Sequence, residues 1–162
     1  MRSVNVQVVA VGKIKEKFLD QGLKEYAKRM GRYGRFEIVE AKEESFNEPL
    51  SARELEQILQ REGERILAEI KPRSFVFVLD RRGESWSSQD LAHSFQRLAV
   101  SGVSQLVFVI GGSLGLDQRV TQRADVILSF SKFTFPHQLM RLILFEQIYR
   151  AFTIVGGERY HK

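Results

Sequence analysis

Apolar positions along the 162 residues fall into two alternating rhythms. Short runs rich in valine, isoleucine and phenylalanine occupy 4–11, 36–41, 75–79, 105–110 and 126–130, each closed by turn or charged residues. That is the pattern of strands. Between them the spacing changes. Phe18, Leu19, Leu23, Tyr26, Ala27 and Met30 recur at three- and four-residue steps, which predicts a helix over 17–30 that Gly31 and Gly34 end. Ser51-Ala52-Arg53-Glu54 fits a capping box for a helix reaching about Ile70, just before Pro72. Ser87-Ser88-Gln89-Asp90 is a second capping signal, for a helix ending near Gly102. A short helix fits 117–124, and Pro136, suited to the first helical position, opens a last one to about Thr153.

The runs at 75–79 and 105–110 are apolar on both faces, as strands of a parallel sheet covered on each side must be. The expected fold class is therefore α/β, a mostly parallel sheet with helices on both faces. No linker, repeat or low-complexity segment interrupts it, so 1–162 reads as a single domain. The last helix is apolar around nearly its whole circumference: Leu139, Met140, Leu142, Ile143, Leu144, Phe145, Ile148, Tyr149, Ala151 and Phe152. One flank can cover the sheet while the other meets a second subunit, which predicts a homodimer.

Composition narrows the chemistry. The chain has no cysteine, which excludes disulfides, thiol nucleophiles and cysteine-held metals. Its N-terminus alternates instead of forming an apolar targeting core, and no apolar run approaches the roughly 20 residues that span a bilayer. A cytoplasmic, membrane-free address follows as the expectation. The net charge of +5 is concentrated. Lys13, Lys15, Lys17, Lys24, Lys28, Arg29, Arg32 and Arg35 face only Glu16, Asp20 and Glu25 in the same stretch, and 37–48 is acidic. Clustered cations suit a phosphate backbone, although an ordinary solvated helix face would look the same.

Ligand loops in open α/β sheets lie beyond the carboxyl ends of strands. Three such loops stand out: Leu79-Asp80-Arg81-Arg82-Gly83, Gly111-Gly112-Ser113-Leu114-Gly115, and the run from Phe130 through Ser131, Lys132, Phe133, Thr134, Phe135 and Pro136 to His137. The glycine cluster is neither a dinucleotide fingerprint nor a P-loop, and a plain turn would also account for it. His137 falls in the first turn of the last helix with Arg141 one turn on, an arrangement that suits an anion or a catalytic role as well as a structural one. Arg150, Arg159, Tyr160, His161 and Lys162 form a second polar cluster, for which a frayed tail is the alternative. The H-E-x-x-H motif is missing, and Glu43-Glu44 has no histidine nearby, so no metal site is expected.

Taken together, several words of this sequence resemble one family. They are Val9-Ala10-Val11-Gly12-Lys13, Leu79-Asp80 with Gly83 and Ser85, and Phe108-Val109-Ile110-Gly111-Gly112-Ser113 with Gly115-Leu116. Further on come Leu128-Ser129-Phe130-Ser131, Thr134-Phe135-Pro136-His137, Arg141, Glu146-Gln147 with Tyr149-Arg150-Ala151, and Tyr160-His161-Lys162. The chain is similar throughout, most specifically in its second half, to the small SPOUT-superfamily methyltransferases that methylate N3 of a pseudouridine in bacterial 23S ribosomal RNA.

The resemblance implies a C-terminal trefoil knot, S-adenosyl-L-methionine held bent by the knot loops, an obligate homodimer, and the assembled ribosome as substrate, with the free subunit as the alternative. By position it places cofactor contacts on Leu79, Gly111, Phe130, Ser131, Lys132, Phe133, Thr134 and Phe135. Many relatives carry an aliphatic residue or methionine where this chain has Phe133. For catalysis it suggests His137 or His161 removing the N3 proton and Arg141 and Arg150 steadying phosphate or developing charge. Tyr160 and His161, in the tail, would reach the partner's cofactor. The competing readings are a tRNA or rRNA ribose 2′-O-methyltransferase of the same superfamily, a non-enzymatic ribosome-associated RNA-binding factor, and a small-molecule α/β enzyme.

Overall fold

The computed structural model describes residues 4–162. Strands β1 (Asn5–Val11), β2 (Phe36–Ala41), β3 (Phe75–Ser85), β4 (Gln105–Ile110) and β5 (Val126–Ser129) pair in the order β2-β1-β4-β3-β5, every pairing parallel. Parallel neighbours need crossover connections. Helices α1 (Lys17–Met30), α2 (Ala52–Glu69), α3 (Ser88–Val100) and α4 (Gln118–Arg123) lie in them, and α5 (His137–Val155) follows the last strand.

Side-chain alternation divides the core in two. Val6, Val8, Ala10, Phe77, Leu106, Phe108 and Ile110 face α1, α3 and α5, packing with Leu23, Leu91, Phe95, Leu144, Phe145 and Ile148. Phe77 and Phe108 stack across β3 and β4 with ring centroids 4.6 Å apart. Val9, Val11, Val76, Val78, Val107 and Val109 face the other way, onto Ile66 of α2 and Val120 of α4. Helices on both faces explain why β3 and β4 carry apolar residues at consecutive positions. Ser51 with Glu54 and Ser87 with Asp90 form complete capping boxes at the starts of α2 and α3.

Two elements depart from the periodicity reading. Strand β3 does not end at Leu79. Leu128 of β5 pairs with Leu79 and again with Glu84, so 80–83 bulge out before β3 resumes to Ser85. The Asp80 carboxylate turns back to accept the Arg82 backbone N–H at 2.8 Å, which tightens the bulge. Gly83 closes it, since a Cβ there would lie 2.5 Å from the Ile127 carbonyl oxygen. Alternation cannot register a bulge, because it interrupts the period of two. Pro136, in turn, stands at the N-cap of α5 instead of inside it, with ψ 135° and its carbonyl accepting the Met140 N–H at 2.9 Å. Helix α5 then runs on to Val155.

Helix α5 buries Leu144, Phe145, Ile148, Ala151 and Phe152 against the sheet, and its Leu142 packs on Gly22 of α1. Leu139, Met140 and Ile143 remain half-buried. Among the described residues, no helix is long and apolar enough to cross a membrane.

Candidate active site

The β3 bulge, the glycine turn after β4 and the segment joining β5 to α5 converge on a cavity of about 620 Å³ beyond the carboxyl ends of the strands. Cofactor sites typically enclose about 300–1,000 Å³, so the volume suits an adenosyl group with its methionine arm. Leu79, Gly111, Phe130, Ser131, Phe133, Thr134, Phe135 and His137 all line it. Lys132 is exposed beside it and is not in the lining. Asp80, Arg81 and Arg82, from the first of the three predicted loops, also line the cavity with Leu116 and Met140, though sequence reasoning named none of the five as a cofactor contact. Met140 had a signal, because a residue three after His137 shares its helix face.

Glycine is required at the turn. Gly115 has φ +100° and donates its N–H to the Gly112 carbonyl at 3.2 Å. A Cβ on Gly111 would lie 2.7 Å from Leu116 Cγ. Closing this turn leaves backbone, not side chains, beside the ligand space. Across the mouth, Arg81 Nη1 donates to Thr134 Oγ1 at 2.9 Å and ties the bulge to the β5–α5 segment. Asp80 accepts from the Arg82 guanidinium, which holds its carboxyl below the usual range despite partial burial.

Behind the glycine turn, buried Glu62 of α2 accepts the Glu44 backbone N–H at 2.9 Å. Burial raises its pKa, Glu43 adds to the rise, and the Glu44 N–H opposes it. A raised folded pKa means the ionised form is penalised only in the folded state. The penalty is absent below the unfolded value of about 4.3, and it is complete once the pH exceeds the folded value. Glu62→Gln keeps the acceptor without the charge. It is therefore expected to raise Tm at about pH 8 and leave it unchanged near pH 4. Equal shifts at both pH values in thermal melts would contradict this.

The expected catalytic residues divide into separate places. His137 lines the cavity and its ring makes no hydrogen bond among the described residues. Arg141, one turn later, is 1% exposed. Its Nη1 meets Glu40 Oε2 of β2 at 2.6 Å and its Nη2 donates to the Gly12 carbonyl at 3.2 Å. It is sealed from any phosphate and instead anchors α5 to the ends of β1 and β2. Sequence reasoning missed Glu40, which also accepts the Ile14 N–H at 3.2 Å.

Arg150, Tyr160 and His161 cluster at the far end of α5, roughly 20 Å from His137 at 1.5 Å per residue. Arg150 donates to Glu146 Oε1 at 2.6 Å and to His161 Nδ1 at 3.0 Å. Guanidinium can only donate, so His161 Nδ1 accepts, and in the neutral ring the Nε2–H meets the Gln89 side-chain amide, of which only the oxygen can accept it. Tyr160 donates to Glu146 at 3.1 Å. Burial first, then Tyr26 and Glu146, push its pKa up, so it stays a neutral phenol at physiological pH. A smaller hollow of about 270 Å³, lined by Trp86, Leu91, Ile143 and Gln147, shares Leu128 and Phe130 with the main cavity. It leads along α5 towards this cluster.

A cavity walled by strand-end loops of a parallel α/β sheet is a ligand site of a recognisable class, and comparison with known families narrows it. The family model described as "Predicted SPOUT methyltransferase" matches residues 4–161, and the chain belongs to that family. Its relatives include the ribosomal RNA large subunit methyltransferases H of Limosilactobacillus reuteri (strain DSM 20016) and Carboxydothermus hydrogenoformans. Each is 52% identical over 159 residues, spanning 98% of this chain and all of the relative. The enzyme of the same name from Ligilactobacillus salivarius is 49% identical over the same share.

Proposed function

We propose that this chain, one SPOUT methyltransferase domain over 1–162, transfers a methyl group from S-adenosyl-L-methionine to N3 of a pseudouridine in 23S ribosomal RNA. It does so in the cytoplasm, as a homodimer, on the assembled ribosome. The observation that carries this reading is the convergence of Leu79, Gly111 and Ser131 on one cavity with His137 at its edge. In the same reading the C-terminal segment is threaded as a trefoil knot, with which the placement of β3 between β4 and β5 is compatible.

Leu79, Phe130 and Phe135 offer apolar walls for an adenine, and the backbone at Gly111 and along 131–135 offers hydrogen-bonding groups. Once bound there, the cofactor supplies an electrophilic methyl group on a sulfonium and leaves as a neutral thioether. Little covalent help is needed, so holding the base in line supplies much of the acceleration. N3–H of pseudouridine is a weak acid, and its proton must leave as the new bond forms. Unengaged His137 is placed to take it, directly or through water, whereas the basic nitrogen of His161 is already committed to Arg150. The tail cluster can serve a donor cavity only across a dimer, along the half-buried flank of α5. There Arg150 and the Tyr160 phenol would offer donors to developing negative charge.

Helix α1 supports the RNA partner. Asp20, Glu25 and Glu158 pair with Lys24, Arg29 and Arg32. Lys13, Lys15, Lys17, Lys28 and Arg35 have no carboxylate within 4.0 Å among the described residues, which leaves their charge for phosphates. Mass mapping of large-subunit rRNA from cells with and without the gene tests the whole reading. Loss of a single N3-methylpseudouridine is the expected result. An unchanged map, or loss of a 2′-O-methyl mark instead, would overturn it.

A further inference from the structure

Phe133 is 79% exposed, yet the chain on both sides of it is fixed. Its own N–H donates to Ser131 Oγ at 3.0 Å, and the Ser129 hydroxyl donates to the Ser131 carbonyl at 3.2 Å. The next residue, Thr134, is tied to Arg81 at 2.9 Å. A phenylalanine in a loose loop could fold its ring inward. Here the pinned backbone keeps a large apolar ring in solvent at the rim of the donor cavity. A lone exposed aromatic needs no explanation by itself. Its surroundings supply one.

Arg82 pairs with Asp80, but Arg81 bonds an uncharged hydroxyl and has no carboxylate within 4.0 Å among the described residues. Lys132, exposed and adjacent in sequence, has no carboxylate within 4.0 Å among the described residues. An exposed ring flanked by two free cations is what an unpaired RNA strand requires. Bases stack on the π-face for about 1–3 kcal/mol each, and cations hold the phosphates between them.

We propose that Phe133 is a stacking platform for an unstacked base of the RNA, next to the nucleotide that enters the donor cavity, with Arg81 and Lys132 holding the flanking phosphates. This rests on the RNA-methylation reading above and adds how the strand is held. The platform lies on the protomer that also carries His137, so it fixes the base's neighbour relative to the group that accepts the proton. Cofactor contacts at this position made through the backbone would survive a change of side chain.

The test compares Phe133→Ala, Phe133→Leu and Phe133→Trp with the wild-type protein on ribosomes lacking the modification. Phe133→Ala is expected to raise KM for ribosomes about 10-fold, in line with one lost stack, with S-adenosylmethionine affinity within about 2-fold by calorimetry. Phe133→Trp restores KM and Phe133→Leu does not, because leucine keeps apolar area without a π-face. Wild-type protein should also quench a 2-aminopurine oligoribonucleotide, and Phe133→Ala should not. A parallel loss of cofactor affinity would show the ring packing on the donor. A changed sedimentation coefficient would assign it to the partner subunit, and equal KM values throughout would make it a bystander. Each of these overturns the platform. If wild-type protein leaves rRNA unmethylated, the functional reading fails first. If it methylates normally and Phe133→Ala matches it, only the platform fails.

Discussion

His137→Ala is expected to slow single-turnover methylation of ribosomes about 10²- to 10⁴-fold while leaving S-adenosylmethionine affinity nearly unchanged, the usual range for losing a positioned proton acceptor. His161→Ala should also be slow, for a different reason. The ring holds Arg150 and faces Gln89 at the far end of α5, so its loss releases the tail cluster and removes no group from the cavity of its own chain. The two variants together test whether the site spans two subunits. In a random mixture, half of the dimers are mixed. If the tail completes the partner's cavity, each mixed dimer has one site with both histidines intact. Activity should then recover to about a quarter of wild type. If each chain supplied both groups to its own site, every site would lack one histidine and the mixture would stay inactive. Unchanged turnover in His137→Ala alone would remove that residue from proton transfer.

Glu40→Ala is expected to destabilise the fold by about 2–3 kcal/mol in urea titration, because it strands the buried Arg141 guanidinium without its counter-charge. The 38% exposure of the Glu40 side chain lets water screen part of the loss. Arg141 is 1% exposed, and its Nε already has no hydrogen-bond partner among the described residues, so little is in place to compensate. Arg141→Met removes the charge with the hydrogen bonds and keeps much of the volume. It should cost less than Glu40→Ala, which is the ordering that distinguishes a stranded charge from lost packing. The pair also has a functional consequence. Arg141 binds Gly12, Glu40 receives the Ile14 N–H, and Gln138 receives the Lys15 N–H at 3.0 Å, so the 12–15 segment is fastened to the first turns of α5. Loosening it should raise KM for ribosomes along with the loss of stability. If Arg141→Met proves the more damaging change, the stranded-charge account is wrong.

Much of the architecture was legible before any coordinates. Valine-rich runs gave the strands, and two Ser-x-x-acid words gave helix starts that the structure completes as capping boxes. These features are local, because a cap or an alternating run satisfies its own backbone within a few residues. Strand-end loops were recognisable for the same reason, and the structure gathers Leu79, Gly111 and the 130–135 stretch, apart from Lys132, around one cavity. The β3 bulge was not legible, since it depends on Gly83 lying against Ile127 of a strand more than forty residues away. Arg141 was misjudged in kind: one turn after His137 it reads as a second anion ligand, yet it is buried against Glu40, 101 positions distant. A sequence shows that an arginine is present, but not which carboxylate reaches it.

By itself, then, the sequence determined the elements, their parallel arrangement, the three ligand loops and the family, because periodicity and motif words are short-range properties of the chain. Tertiary structure alone decided what each polar side chain faces. It closed Arg141 into the interior, left Phe133 in solvent beside unpaired cations, and set Arg150, Tyr160 and His161 at the opposite end of α5 from His137. Those outcomes depend on which distant segments meet, and burial then determines whether a charge is an anchor or a ligand.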